Sequence, residues 1–192
     1  VEQGTLLGII GPNGSGKTSL LMAIMGYPQY RVIGGRIVFK GYDITHMPVD
    51  ERARLGIGMS YQRPPTINGL KTRDMVKICA KGEDNVEALA AQVNFTDFLD
   101  RDLNAGFSGG EIKRSELLQL MAQSPDLMLF DEPESGVDIE NIALIGNTIS
   151  SLLQRNFQAH TDLSQKSAHR HRNKMGLIIT HTGYILNYVP AD

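Results

Sequence analysis

Five short runs along the chain are rich in apolar or β-branched residues: LLGII at 6–10, RIVF at 36–39, GIGMSY at 56–61, LMLF at 127–130 and LIIT at 177–180. Those beginning at Leu6, Leu127 and Leu177 are almost continuously apolar. That pattern predicts strands buried on both faces, hence a parallel sheet with helices on each side. Helical spacing alternates with the strands. One helix is predicted over 18–25, after a glycine-rich stretch. A second, over 111–123, places Leu117, Leu118 and Met121 at helical intervals. A third, over 138–154, gathers Ile142, Ile145, Ile149, Leu152 and Leu153 on one face. The alternation predicts an α/β nucleotide-binding core. Between positions 63 and 106 the pattern changes. KTRDMVKICAKG and NVEALAAQVNF read as two amphipathic helices with no strand between them. The expected organisation is a core of residues 1–62 and 107–192 with an inserted helical subdomain at 63–106. The polar stretch QAHTDLSQKSAHRHRNK at 158–174 reads as a mobile surface loop.

Composition narrows the class. A chain of 192 residues with 41% apolar and 21% charged residues suits one soluble globular domain, or one with a small subdomain. A net charge of −2 gives no global pull toward nucleic acid or anionic membrane. The single cysteine, Cys79, cannot form an internal disulfide, which points to a reducing cytoplasm. On its helical face beside Val76 and Ile78, a small core residue is the ordinary expectation. No run reaches the length of a membrane span and no signal peptide is visible, so direct membrane insertion is not expected. Both termini read as truncated.

The stretch GPNGSGKT, Gly11 to Thr18, matches G-x-x-x-x-G-K-[ST] with a strand before it and a helix after it. Gly11, Pro12, Asn13, Gly14, Ser15 and Gly16 form a loop whose backbone N–H groups can turn inward around phosphate oxygens. Lys17 adds a point charge. Thr18 offers a hydroxyl to Mg²⁺, and the helix directs its positive end at the anion.

Asp131 and Glu132 follow the strand at 127–130, and open α/β sheets bind ligands at the carboxyl ends of strands. Asp131 suits contact with Mg²⁺, direct or through water. Glu132, one residue on, points elsewhere and can polarise a water attacking the terminal phosphate. Two adjacent acids are also what a solvated turn carries. His181 follows the strand at 177–180, where it can reach phosphate or water, although a lone histidine is often structural. Gln62 follows GIGMSY in the same manner. It is either an ordinary turn residue or a link between metal, water and the helical segment.

A second glycine-rich helix start, FSGGE at 107–111, remains. GPNGSGKT, the Gln of SYQRPP, FSGGE, LMLFDEP, SGVD and ITH occur in the order found in ATP-binding cassette (ABC) ATPases, and the resemblance covers nearly the whole chain. It implies a P-loop NTPase fold, ATP and Mg²⁺ as cofactors, and a head-to-tail dimer with a second copy of the chain. In such a dimer Ser108, Gly109, Gly110 and Glu111 would cap the ATP held by the other copy's cradle. Ser19 would reach the α-phosphate, and Asp138 would lie at the seam. FSGGEIKRSELLQLMAQSPDLMLFDEPESGVDIENI is similar to the ATPases of the Suf iron–sulfur-cluster assembly system, as are GRIVFKGYDIT and ITHTGYILNYVPAD. That implies SufB/SufD-like scaffold proteins as partners. A single cysteine cannot itself supply a cluster's thiolates.

The sequence departs from the family in three places. The segment that carries the adenine-stacking aromatic is missing. Glu134 stands where transporters commonly carry threonine. The stretch at 158–174 is longer than usual. Two other readings compete. A transporter motor subunit would share the fold and the chemistry, with the segment RPPTINGLKTRDMVKI forming a groove for a membrane partner. A chromosome or repair ATPase would need sustained coiled-coil heptads, which the roughly forty residues after Gln62 lack. KSAHRHRNK reads as a solvated loop, so no nucleic-acid partner is expected. His169 and His171 lack a third metal ligand at suitable spacing.

Overall fold

In the computed structural model, residues 1–81, 85–153 and 174–192 are described. The stretch at 158–173, with His169 and His171, lies outside them. Four strands, β1 (Leu6–Ile10), β4 (Ile57–Ser60), β7 (Leu127–Asp131) and β8 (Met175–Thr180), form an all-parallel sheet in the order β1-β8-β7-β4. Their period-two alternation divides the core. Met128, Phe130, Ile178 and Leu6 face one side, where they pack on Leu117 and Leu120 of helix α5 (Gly109–Gln123) and on Ile145 and Ile149 of α6 (Ile139–Leu152). Leu127, Leu129, Leu177 and Ile179 face the other, against Leu21 and Met25 of α1 (Lys17–Met25) and against Phe39 and Ile44. A strand with both faces covered needs apolar residues at every position, which is why these strands read as unbroken apolar runs. The fold is the expected α/β P-loop class.

Several short elements depart from the sequence expectation. RIVF is only half a strand. β2 (Val38–Phe39) pairs antiparallel with β3 (Tyr42–Asp43) in a small hairpin outside the main sheet. Helix α2 (Val49–Leu55) was not expected. The segment at 63–106 holds two helices, α3 (Thr72–Cys79) and α4 (Val86–Gln92), but also an antiparallel pair, β5 (Ile67–Lys71) and β6 (Asp102–Leu103), that closes its two ends together. Val76, Ala80, Val86, Ala90, Val93, Phe95 and Leu99 form a third core under these helices, completed by Leu118 and Ala122 of α5. Helix α5 thus lies between two cores, with Leu117 and Leu120 in one and Leu118 and Ala122 in the other. On α3, Val76 is fully buried, whereas Ile78 is 65% exposed and Cys79 is half-buried, so the apolar face is turned from the one expected.

Candidate functional site

Because the four strands are parallel and nearly in register, their carboxyl ends form one edge. Ile10 lies opposite Thr180, Asp131 opposite Ile179 and Ser60 opposite Phe130. Gly11, Glu132 and His181 each follow directly on a strand end, and Gln62 comes two residues after β4. Parallel pairing converts four separate positions in the sequence into one site.

The loop at 11–16 joins β1 to α1. Gly14 and Gly16 have φ of 79° and 89°, a region costly for any residue with a Cβ. Gly16 is the N-cap of α1 and supplies no side-chain acceptor, so the first amides of the helix are left for a ligand. Lys17 is almost fully buried, and its Nζ donates to the carbonyls of Gly11 (2.8 Å) and Pro12 (2.9 Å). The ammonium thus lies at the neck of the loop, held by the loop itself. Pro12, Asn13, Ser15 and Ser19 are exposed along its rim.

Thr18 Oγ1 donates to Asp131 Oδ1 at 3.1 Å. Asp131 is only 1% exposed, and its Oδ2 has no partner among the described residues. Burial pushes its carboxyl above the ordinary range. The neighbouring Glu132 charge adds to this, and the Thr18 hydroxyl opposes it. A buried carboxylate oxygen without a partner, next to a hydroxyl, is a donor set suited to a hard divalent cation such as Mg²⁺.

Glu132 has φ 48°, a left-handed backbone that non-glycine residues seldom adopt. Its N–H donates to Ile179 O on the neighbouring strand. This turn swings the side chain away from the direction of Asp131 and into the gap between two other strand ends. There Gln62 Nε2 donates to Glu132 Oε2 at 2.6 Å, and His181 Nε2 lies 2.5 Å from Glu132 Oε1. Residues 62, 132 and 181, separated widely in sequence, therefore meet in a single hydrogen-bonded cluster.

Sequence reasoning missed three contributors. Glu134, noticed only as a departure from a family pattern, is buried. Its Oε1 accepts from the hydroxyls of Thr180 and of Thr182 (3.3 Å), on either side of His181. Lys113 and Glu116, two buried charges on α5, grip the backbone that leads to Gln62. Glu116 accepts from Ser60 Oγ (3.0 Å) and Tyr61 N (2.7 Å), and Lys113 Nζ donates to the carbonyls of Tyr61 and Gln62 (3.3 Å to the latter). The available signal was charges at positions where the helix must be buried between two cores.

The FSGGE stretch opens α5. Ser108 Oγ accepts from Glu111 N (3.4 Å) and Glu111 Oε2 accepts from Ser108 N (2.7 Å), a capping box. Glu111 is thus engaged within its own helix end. Phe107 anchors the stretch. It meets Phe95 and Phe98 edge-on at 5.5 and 5.8 Å, with the Arg101 guanidinium 4.8 Å from its ring centre. At position 109 a Cβ would lie 2.0 Å from Gly136 O, so only glycine lets the helix start pack on the SGVD turn. Asp138 caps α6, accepting from Asn141 N (2.9 Å) and Asn141 Nδ2 (2.7 Å). The amide of Asn141 is the first of these contacts holding the Asp138 carboxyl below the ordinary range.

Among the described residues no helix is long and apolar enough to cross a membrane. Comparison with known proteins agrees with the geometry. Residues 1–135 match the ABC transporter family. A probable ATP-dependent transporter, ycf16, of Cyanidium caldarium is 37% identical over 96% of this chain and 72% of its own length. Vegetative protein 296 of Bacillus subtilis is 34% identical over the whole chain and 72% of its own length. A nucleotide-free ATP-binding cassette from an ABC transporter superposes with a TM-score of 0.75 at 23% identity, covering 98% of this chain and 76% of that one, and so shares the fold. With the phosphate cradle, the strand-end carboxylates and this match together, the chain belongs to the ABC transporter family of ATP-hydrolysing P-loop enzymes.

Proposed function

We propose that the chain binds Mg·ATP in the cradle at 11–19 and hydrolyses it at Glu132, in a dimer whose second copy supplies Ser108, Gly109 and Gly110 to the terminal phosphate. The observation that carries the reading is the Glu132 carboxylate held between Gln62 and His181 at the edge where the cradle opens. Thr18 and Asp131, with Gln62 beside them, would hold Mg²⁺, which supplies charge neutralisation to the phosphates when bound. Lys17 exchanges its two loop carbonyls for phosphate oxygens. Glu132 orients a water and takes its proton as the water oxygen bonds to the γ-phosphorus and the bond to the bridging oxygen breaks, leaving ADP and phosphate. Gln62 and His181 hold the carboxylate and the adjoining water in line. A helix N-terminus from a second copy removes solvent from the phosphate and matches its charge.

Residues 1–62 and 107–192 act as the core in this reading, and 63–106 as a subdomain that meets the partner. Between them runs a groove of about 710 Å³, walled by Met25, Met59, Met75, Pro64, Pro65 and Ile67 and opening beside Tyr61. We assign its partner to a SufB/SufD-like iron–sulfur scaffold in the cytoplasm, on the FSGGE signature and the ITHTGYILNYVPAD run. The second reading is a nucleotide-binding subunit of a membrane transporter. Transporter names carried by relatives, such as a probable ABC transporter ATP-binding protein of Streptococcus pyogenes at 34% identity, favour it. Co-purification with soluble scaffold or with membrane protein separates the two.

Glu132→Gln tests the chemistry. The variant keeps the binding loop and loses the proton acceptor, so kcat should fall about 10²- to 10³-fold, the cost typical of losing one transition-state group. At saturating Mg·ATP it should accumulate as a dimer on sizing chromatography. A monomer under those conditions, or an unchanged kcat, overturns the assignment.

A further inference from the structure

Two buried charges of α5 have no role in the chemistry above, yet they sit between its parts. Lys113 and Glu116 have side chains 3% and 5% exposed and pair with each other at 3.3 Å. An ion pair taken out of water is expensive and offers little stability over an apolar pair of the same volume. Its retention calls for a function, and its remaining hydrogen bonds indicate one. Every other partner of the pair lies in residues 60–62. Glu116 receives Ser60 Oγ and the Tyr61 amide, and Lys113 donates to the carbonyls of Tyr61 and Gln62. Both peptide units before the Gln62 side chain are therefore clamped, one residue past the end of β4. The Gln62 side chain then donates to Glu132 at 2.6 Å. On the same rigid element, Lys113 lies five residues after the N-cap Ser108, about 7.5 Å along the helix axis.

We propose that the Lys113–Glu116 pair is a positioning device that sets Gln62 against the catalytic carboxylate and ties that placement to the start of α5. The inference rests on the reading of Glu132 and Gln62 given above. Helix α5 carries at its N-terminus the residues that meet the other copy's nucleotide, and one and a half turns later it holds the backbone of Gln62. A rigid shift of α5 as the second copy docks moves the Gln62 amide relative to Glu132. Hydrolysis thereby depends on docking through a continuous chain of buried hydrogen bonds. The pair is specific to this task because a neutral apolar pair would fill the same volume but would not hold the backbone of residues 61–62, which lie beyond the end of β4.

The test replaces the pair by that apolar equivalent. Lys113→Met with Glu116→Leu removes both charges together, which avoids stranding one buried ion. Steady-state ATPase kinetics are measured for this pair variant, for Gln62→Ala and for all three changes combined, with thermal unfolding and Mg·ATP-induced stabilisation recorded for each. The pair variant leaves the Ser60 hydroxyl, the Tyr61 amide and the carbonyls of Tyr61 and Gln62 without these partners, so its Tm should fall. Mg·ATP should still raise that Tm by as much as in the parent, with KM within about threefold and kcat lowered roughly 10- to 100-fold, the range seen when a reacting group is displaced by about 1 Å. Adding Gln62→Ala to it should lower kcat by less than about threefold more, because residues acting as one unit are not additive. If Gln62→Ala lowers kcat but the pair variant is silent, or if the two losses multiply, the positioning role is wrong and the catalytic reading stands. If Gln62→Ala leaves kcat unchanged, the catalytic reading of Gln62 fails and the inference fails with it. Should the pair variant unfold, Glu116→Gln, which keeps an acceptor oxygen for the Tyr61 amide, reads the same coupling at smaller amplitude.

Discussion

Asp131 carries a charge at odds with its surroundings. It is 1% exposed, one oxygen is without a partner among the described residues, and burial raises its pKa. A carboxyl whose folded pKa lies above its unfolded value favours folding most fully below the unfolded value, and that contribution is lost as pH rises through the folded value. Above the ordinary aspartate range the burial penalty is therefore present in the nucleotide-free protein. Asp131→Asn should raise the nucleotide-free Tm at pH 7 by about 2–4 °C, the shift that roughly 1 kcal/mol produces at this size. The advantage should shrink as pH falls through the raised carboxyl value and be gone below about pH 4, where the ordinary aspartate is itself protonated. The same variant should lose its Mg²⁺-dependent stabilisation by ATP, and differential scanning calorimetry with and without Mg·ATP reads both effects. At this scale the sequence was legible where a candidate residue sits at a strand end. Asp131, Glu132, His181 and Gln62 could be named because parallel strands deliver their carboxyl ends to one edge. Glu134, Lys113 and Glu116 were not named as site residues, because apart from the Lys113–Glu116 pair their partners are backbone groups and hydroxyls distant in sequence.

Legibility changes at the level of elements with their length and with what they bury. β7 and β8 were visible as unbroken apolar runs, and α6 as a stripe through Ile145 and Ile149. β3, β5 and β6 are short or polar and owe their pairing to tertiary closure. Helix α2 was invisible for a more specific reason. Its one fully buried side chain is Arg52, and the apolar residues that meet the core, Val49, Ala53 and Leu55, are only partly buried and make too short a stripe to stand out. The Arg52 guanidinium is 2% exposed and donates to Met47 O (2.8 Å), Ala23 O (2.8 Å), Ile24 O (2.9 Å) and Thr45 O (3.0 Å). Two of these carbonyls end α1, where the helix dipole is negative and favours a cation. No carboxylate takes part in these bonds, and burial draws the guanidinium pKa down. The arginine therefore ties α1, the loop before α2 and α2 itself into one unit behind the phosphate cradle. Arg52→Met keeps most of the stem's volume and removes four hydrogen bonds, although Ala23 O keeps the Gly26 amide as a donor. It should cost about 2–4 kcal/mol, since each buried group left unpaired costs on the order of 1 kcal/mol or more. Urea unfolding measures this, with a lowered midpoint at unchanged m-value. Loss below about 0.5 kcal/mol would mean that water replaces the guanidinium.

At the scale of the whole molecule, the proposed function divides one nucleotide site between the cradle at 11–19 and the start of α5 in a second copy. The cradle at 11–19 opens at the strand edge, while the hydrogen bonds of Ser108 and Glu111 stay within the first turn of α5. No pattern in a single sequence states that two such halves meet in trans. That expectation comes from the resemblance of the motifs and their order. It makes a demand that an arrangement within one chain would not. Lys17→Ala removes the cradle's cation, and Ser108→Arg blocks the start of α5 without touching the cradle. Each variant alone should hydrolyse ATP at background rate, because every dimer it forms lacks one half of both sites. Mixed in equal amounts, half of the dimers pair one copy of each. In those, the Ser108→Arg copy contributes an intact cradle and the Lys17→Ala copy an intact helix start to the same nucleotide. About a quarter of all sites are then complete, so turnover should recover to about a quarter of the parent's, as the two-fold symmetry of the pairing requires. A mixture that stays at background, with both variants folded and the Ser108→Arg copy still binding ATP, would show that the two halves do not meet across the pair.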